Sequence, residues 1–224
     1  MKKLLKITLF GALILLVGLM LKGPTQDRKS DAYFAWRSQH EHELAINRLH
    51  QEAILSPHFK FDHLELVEVA PGKKYFSLWG HMMLRFAGSG GADPDQDLVL
   101  SFLADFNDFP VDDWKASTGG YVVMPKIGTV AQYKTEYTQG EGRTIFFHPI
   151  HATEEKEQLL LTTLRSWIKD PTLPGGYSFF YNNCVSLMTK LLVEAKLLPR
   201  MGLYGYWPKY VPRQYAQEGL IDYE

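Results

Sequence analysis

A single cysteine, Cys184, lies in the segment YNNCVS at residues 181–186. Asn182 and Asn183 are favourable N-cap residues, and the apolar stretch after them predicts a helix that runs from Cys184 to Leu198. The first turn of a helix has free backbone N–H groups, which stabilise a thiolate and lower the pKa of a thiol. The same groups can stabilise the oxyanion that forms when a thiolate attacks a carbonyl group. This position therefore predicts a nucleophilic cysteine.

A cysteine nucleophile needs a base, which is usually a histidine on a rigid neighbouring element. His81 is the best placed of the eight histidines, because it follows Gly80 within an apolar, aromatic-rich segment that predicts a strand over residues 74–88. Arg85 shares a strand face with His81, so it either binds a phosphate or carboxylate group or forms a structural ion pair. For both Cys184 and His81 the structural alternative is a buried core residue.

Metal and cofactor sites are not expected. A helical zinc pair needs a second histidine four residues after the first. None of the three histidines in the predicted helix has one; these are His40, His42 and His50. His148 and His151 flank Pro149 with no cysteine or acidic cluster nearby, which makes a metal pair there weak. The loop at residues 88–97 matches neither a phosphate-binding nor a calcium-binding loop.

Composition narrows the function classes. The 224 residues are 46% hydrophobic and 13% aromatic, with a formal net charge of −1, which excludes a disordered chain. No basic stripe with interleaved aromatic residues is present, so nucleic acid is not an expected partner. One cysteine cannot form an internal disulfide, so the stability of the domain must come from packing.

Residues 1–24 predict a transmembrane anchor. Lys2, Lys3 and Lys6 accompany an apolar run that ends at Leu21. This segment of about 18 residues spans roughly 27 Å as a helix, close to the thickness of a bilayer core. A cleaved signal peptide is the alternative, but the segment lacks an A-x-A-like cleavage site. The positive-inside rule then places the rest of the chain outside the cytoplasm.

The remaining chain predicts a helical connection at residues 25–58 and one α+β domain at residues 59–224. The connection lacks glycine and proline between residues 27 and 55, and Ser30 or Asp31 can cap its helix. Apolar periodicity predicts the elements of the domain. Strands are expected at residues 63–72, 74–88, 97–106, 119–127 and 143–150, helices at 154–170 and 184–198, and an irregular tail beyond residue 198.

Several motifs in order resemble the Lnb-type bacterial lipoprotein N-acyltransferases. They are PGKKYFSLWGHMMLRF at residues 71–86, EGRTIFFHPIHATEEKEQLLLTTL at 141–164 and GGYSFFYNNCVSLMTKLL at 175–192. The likeness covers roughly residues 64–195. This family resembles the permuted papain-like group, related to lecithin:retinol acyltransferase, in which the histidine precedes the cysteine. The resemblance implies an antiparallel sheet packed on helices.

The resemblance also implies roles for individual residues. Cys184 would be the nucleophile, His81 its base, and Asp105 the acidic group that orients the histidine. The residue before Asp105 is alanine where the family has an aromatic residue, which leaves three alternatives for the orienting role: Asp93, Asp97 and Ser101. Arg85 and Asn183 are the candidate substrate-binding residues, although Asn183 is expected mainly as a helix cap.

The activity that the resemblance implies is acyl transfer at the bacterial inner membrane, with the catalytic domain on the periplasmic side of a single-pass anchor. A phospholipid would donate a fatty acyl chain through a cysteine thioester to the N-terminal amine of a diacylglyceryl lipoprotein. Trp79, Trp207 and Tyr210 would suit the membrane interface. The alternatives are a peptidoglycan amidase, a cysteine peptidase or a lipid acyl hydrolase on the same fold. The alternative from another class is a non-catalytic, membrane-tethered binding module.

Overall fold

A computed structural model of the protein describes residues 30–73, 77–200, 202 and 207–223. The predicted anchor at residues 1–24 lies outside this part of the chain. Among the described residues, no helix combines the length and the hydropathy needed to cross a membrane.

The described residues form an α+β domain around a six-stranded antiparallel sheet with the strand order β5-β1-β2-β3-β4-β6. The strands are β1 (His63–Val69), β2 (His81–Ala87), β3 (Leu98–Ala104), β4 (Tyr121–Thr129), β5 (Ile145–Pro149) and β6 (Gly176–Tyr177). The first five match the predicted strands, except that β2 begins only at His81. The residue before it, Gly80, has φ +84°, and a Cβ there would lie 2.7 Å from the carbonyl oxygen of Val69. The chain therefore turns at Gly80 and places His81 at the very start of a strand.

Helices connect and cover the strands. They are α1 (Asp31–Leu55), α2 (Asp113–Thr118), α3 (Val130–Tyr133), which continues as a π-helix (Lys134–Gly140), α4 (Glu154–Lys169), α5 (Cys184–Glu194) and α6 (Val211–Gln217). Short 3-10 turns lie at Pro94–Gln96 and Pro208–Tyr210.

Both faces of the sheet are covered. On one face, alternate residues of β2 such as Met82 and Leu84 join the main core with α4 and α5. On the other face, Met83 packs with Val67 and with Tyr133 and Tyr137 of the α3 and π-helical segment. Two-sided burial explains why β2 and β3 are almost continuously apolar instead of alternating.

Helix α1 closes the edge of β4 that β6 leaves open. Asn47 accepts a hydrogen bond from the N–H of Ile127 (2.8 Å) and donates to the carbonyl oxygen of Pro125 (3.3 Å). Gln51 Nε2 donates to the same Pro125 oxygen (2.8 Å), and His50 Nδ1 lies 2.8 Å from the Ile127 oxygen. Polar side chains on one face of a helix thus replace the missing strand partner.

Several elements differ from the sequence expectation. The region beyond residue 198 was expected to be irregular, but it contains helix α6, in which Val211 and Tyr215 are buried. Thr153 occupies the N-cap position of α4 without making a side-chain cap hydrogen bond. Helix α2, the π-helix and β6 were not predicted, because short elements are held by tertiary contacts rather than by their own periodicity.

Candidate active site

Cys184 is the first residue of α5, as the sequence predicts. Asn183 is the N-cap residue, and its Oδ1 accepts hydrogen bonds from the N–H groups of Val185 and Ser186, both at 3.1 Å. Ser186 Oγ in turn accepts from the N–H of Asn183 (2.8 Å), which completes a capping box. Helix α5 packs against β2, β3 and α4, so the cysteine is anchored by both a cap and the core.

The electrostatics of the thiol differ from the expectation. Burial raises the pKa of Cys184 to about 11. Hydrogen bonds from the backbone N–H groups of Met82, Val185 and Cys184 itself, together with the charge of Arg143, lower this pKa but do not overcome the desolvation. The prediction of a thiol with a lowered pKa is therefore wrong for the free protein. The Met82 contact places the sulfur beside the backbone of the residue that follows His81.

His81 is buried at the start of β2, next to the cysteine-bearing end of α5. Its Nε2 lies 2.7 Å from Ser101 Oγ, and its ring centroid lies 5.9 Å from that of Tyr137. Burial lowers the pKa of His81 to about 3, and the positive charges of Arg143 and Lys126 add to this effect. The imidazole is thus neutral at pH 7, and Nδ1 is the ring nitrogen not engaged by the serine.

Ser101 was one of the alternatives for the residue that orients the histidine. The register pairs Met83 with Ser101, so the serine lies on the same sheet face as His81, one diagonal step away. Asp105 follows the end of β3, where its Oδ1 lies 3.6 Å from His40 Nε2. Among the described residues this oxygen has no hydrogen-bond partner. The structure therefore brings Ser101, and not Asp105, to the imidazole.

The other two acidic alternatives have structural roles. Asp97 binds Arg85 with Oδ2 at 2.6 Å and accepts the N–H of Gly90 with Oδ1 at 2.7 Å. Asp93 caps the 3-10 turn that starts at Pro94.

Arg85 is a structural ion-pair partner. Besides Asp97, its guanidinium binds Glu65 at 2.7 Å and lies 5.2 Å above the ring of Phe147. Its hydrogen-bonding capacity is thus directed into the sheet, which corrects the prediction that Arg85 binds substrate.

A cavity of about 460 Å³ joins the candidate residues, since Cys184, His81 and Asn183 all contribute to its lining. Trp79 and Trp207 also line it, with their ring centroids 4.5 Å apart and each side chain 37% exposed. Within residues 30–73, 77–200, 202 and 207–223, no cluster of three or more potential metal ligands is found. The arrangement is therefore a thiol and an imidazole in one largely apolar cleft.

The comparison with protein families identifies the chain. The family model described as the Lnb N-terminal periplasmic domain matches residues 51–205, a range that includes both His81 and Cys184. The chain belongs to this family. No curated protein and no solved structure matches it. The periplasmic description of the family agrees with the predicted extracytoplasmic location of the domain.

Arg143 is a residue of this Lnb domain to which the sequence assigned no role. It lies just before β5, buried, and its Nε donates to the carbonyl oxygen of Ala70 at 2.6 Å. It also binds Glu141 at 2.9 Å and lies 5.0 Å above the ring of Tyr137 at the cavity wall. The signal in the sequence was an arginine directly before a strongly apolar strand, TIFFHPI, but spacing alone could not place it near His81.

Proposed function

We propose that this Lnb domain is a thiol-dependent acyltransferase with a permuted papain-like arrangement of histidine before cysteine. A membrane glycerolipid donates a fatty acyl chain to Cys184, and the N-terminal amine of a diacylglyceryl lipoprotein accepts it. The observation that carries the proposal is that Cys184, at a helix start, and the neutral imidazole of His81 line the same cavity. The order of motifs along the chain and the family match support it.

In the first half-reaction, the sulfur of Cys184 attacks the ester carbonyl carbon while His81 accepts the thiol proton. Because both groups are neutral at rest, proton transfer accompanies the attack and does not precede it. The N–H groups of Val185 and Ser186 are bound by the Asn183 cap, so the N–H of Cys184 itself is the group at the start of α5 that stabilises the oxyanion. The C–O bond then breaks, the proton passes to the departing lysolipid oxygen, and a thioester remains on Cys184.

In the second half-reaction, a neutral amine attacks the thioester carbonyl carbon. His81 takes the proton that the amine loses, the C–S bond breaks, and the proton returns to the sulfur. The product is an amide, and the thiol is restored. Ser101 holds Nε2 of the imidazole throughout, which leaves Nδ1 as the ring nitrogen that exchanges protons with the sulfur.

A membrane location fits this chemistry. Donor and acceptor are both confined to a bilayer, so an anchor at residues 1–24 raises their effective concentration at the thiol. Trp79 and Trp207 at the cavity, with the exposed Tyr210 nearby, are residue types that prefer the membrane interface.

The test is intact-mass analysis of the full chain after incubation with phospholipid vesicles. A hydroxylamine-sensitive acyl adduct is expected on the wild type and is expected to be absent from Cys184→Ala. The His81→Ala variant should acylate slower by about a hundredfold or more. In cells, mass spectrometry of a lipoprotein N-terminus should show N-acylation with the wild type only. N-acylation that persists in both variants would refute the transferase.

Release of free fatty acid with no transfer to an amine would instead indicate the lipid hydrolase, and peptidoglycan cleavage without an adduct would indicate the amidase. One observation favours the non-catalytic binding module: burial raises the pKa of the Cys184 thiol to about 11, as for an inert core cysteine. A binding module would form no acyl adduct, and Cys184→Ala would have no phenotype.

A further inference from the structure

The cavity extends across the end of the sheet, and its two ends differ in chemistry. His81 begins β2, near the middle of the strand order. On the β5–β1 side, the lining combines the charged Arg143 and Glu141 with the partly exposed rings of Trp79 and Trp207. On the β3–β6 side, the lining is mainly apolar: Leu103, Phe106, Val111, Ala116, Tyr177 and Phe179.

Helix α2 covers the apolar end of the cavity. All six of its residues keep at least partial exposure, so it is not held by a buried side chain of its own. Hydrogen bonds position it instead: the carbonyl oxygens of Ala116, Ser117 and Thr118 accept from Phe179 N (2.9 Å), Ser178 Oγ (2.7 Å) and Tyr181 Oη (2.8 Å). Ala116 and Val111 bound the cavity, with the exposed Asp113 at its rim.

We propose that this apolar end, between α2 and the ends of β3 and β6, binds the fatty acyl chain of the donor. The polar end would then receive the glycerol side of the ester. This assignment rests on the proposed function. Methylene groups gain free energy only where they leave water for apolar surface, which the β3–β6 end offers. At the other end they would displace solvent from charged groups such as Arg143 and Glu141.

The test uses the full chain and donor phospholipids of graded acyl length. For donors that are monomeric in water and kept below saturation, the acylation rate of Cys184 in the wild type should rise by about fourfold for each methylene that the apolar end accommodates. Ala116→Phe fills this end and should lower the ratio of long-chain to short-chain rates by about tenfold or more. Val111→Phe, in a loop, is the second variant should Ala116→Phe fail to fold. Val122→Phe, at an exposed position of β4 outside the cavity lining, is the matched control.

A second readout separates this proposal from the transferase proposal. Native mass spectrometry measures the binding of decanoic and hexadecanoic acid to the Cys184→Ala variant. Adding Ala116→Phe to this variant should weaken the binding, and adding Val122→Phe should not. Acylation with an unchanged length profile in both cavity variants would overturn the acyl-chain site and leave the transferase standing. If fatty acids bind and Ala116→Phe weakens their binding, but the wild type forms no acyl adduct, the acyl-chain site is supported and the transferase is overturned. Neither adduct nor fatty-acid binding would overturn both.

Discussion

Burial leaves Cys184 and His81 uncharged at neutral pH. For Cys184 the desolvation outweighs the stabilising neighbours, and for His81 the charges of Arg143 and Lys126 act in the same direction as burial. A papain-like pair is often pictured as a preformed thiolate and imidazolium. In the proposed mechanism, the charge develops during the attack, when the carbonyl carbon of the substrate is already in contact with the sulfur.

The first prediction concerns the reactivity of the thiol. Since the pKa of Cys184 is raised to about 11, the thiolate fraction at pH 7 is far below that of free cysteine. The rate of alkylation by iodoacetamide, followed by intact mass, should therefore rise about tenfold per pH unit from pH 7 toward pH 10. Free cysteine in the same tube is the control. A rate that is constant between pH 5 and pH 8 would show a preformed thiolate instead.

The second prediction concerns the residue that positions His81. Ser101→Ala removes the 2.7 Å partner of Nε2 and should slow acylation of Cys184 by roughly tenfold to a hundredfold. Ser101→Thr keeps the hydroxyl and should restore most of the rate, and the low-pH limb of the pH–rate profile should move only in Ser101→Ala. Asp105→Asn should stay within about twofold of the wild type. A larger loss in Asp105→Asn than in Ser101→Ala would reverse the assignment.

At the scale of elements, the edge of β4 depends on a helix that shares no strand pairing with it. Asn47, His50 and Gln51 lie on one face of α1 and bond to the backbone of Pro125 and Ile127. An uncovered strand edge invites pairing with another chain. Helix α1 therefore protects the sheet as well as connecting it to the N-terminal segment.

The third prediction follows from this contact. Asn47→Leu leaves the N–H of Ile127 buried without its partner and should lower the free energy of unfolding by about 1–3 kcal/mol. Gln39→Leu, at an exposed position of the same helix where the amide donates to Glu43, should change the free energy of unfolding by less than about 0.5 kcal/mol. Urea denaturation of the detergent-solubilised full chain measures both. Equal losses in the two variants would argue against the edge contact.

Local patterns predicted the long elements, the position of Cys184 at a helix start and the position of His81 in a strand. They could not predict Ser101 as the partner of His81, because that depends on the register between β2 and β3. The pKa of the thiol was predicted with the wrong sign, since the helix terminus is a local effect and burial is a property of the whole fold. The anchor at residues 1–24 stays a prediction.

At the scale of the whole molecule, the chain enters the domain close to the cavity. Near the start of α1, the rings of Tyr33 and Trp36 lie 6.1 and 5.4 Å from the ring of Phe109. Val111, two residues later, lines the apolar end of the cleft. The N-terminal part of α1 and the candidate acyl-chain site therefore share one end of the sheet.

The fourth prediction tests the anchor. Removal of residues 1–24 should shift the protein from the membrane fraction to the soluble fraction and slow its acylation by vesicle lipids by about tenfold or more. The rate with a water-soluble, short-chain ester should stay within about twofold. Replacement of the segment by an unrelated apolar span of the same length should restore the vesicle rate. Membrane recovery of the shortened chain would contradict this role.

The proximity of Tyr33 and Trp36 to the cleft has a consequence for the choice of substrates. With residues 1–24 in the bilayer, only residues 25–29 separate the anchor from Ser30. This linker spans roughly 20 Å even when fully extended. A domain held so closely cannot sample distant surfaces. It would act on lipids and lipoproteins in the leaflet next to its anchor, and those on a facing membrane would be out of its reach.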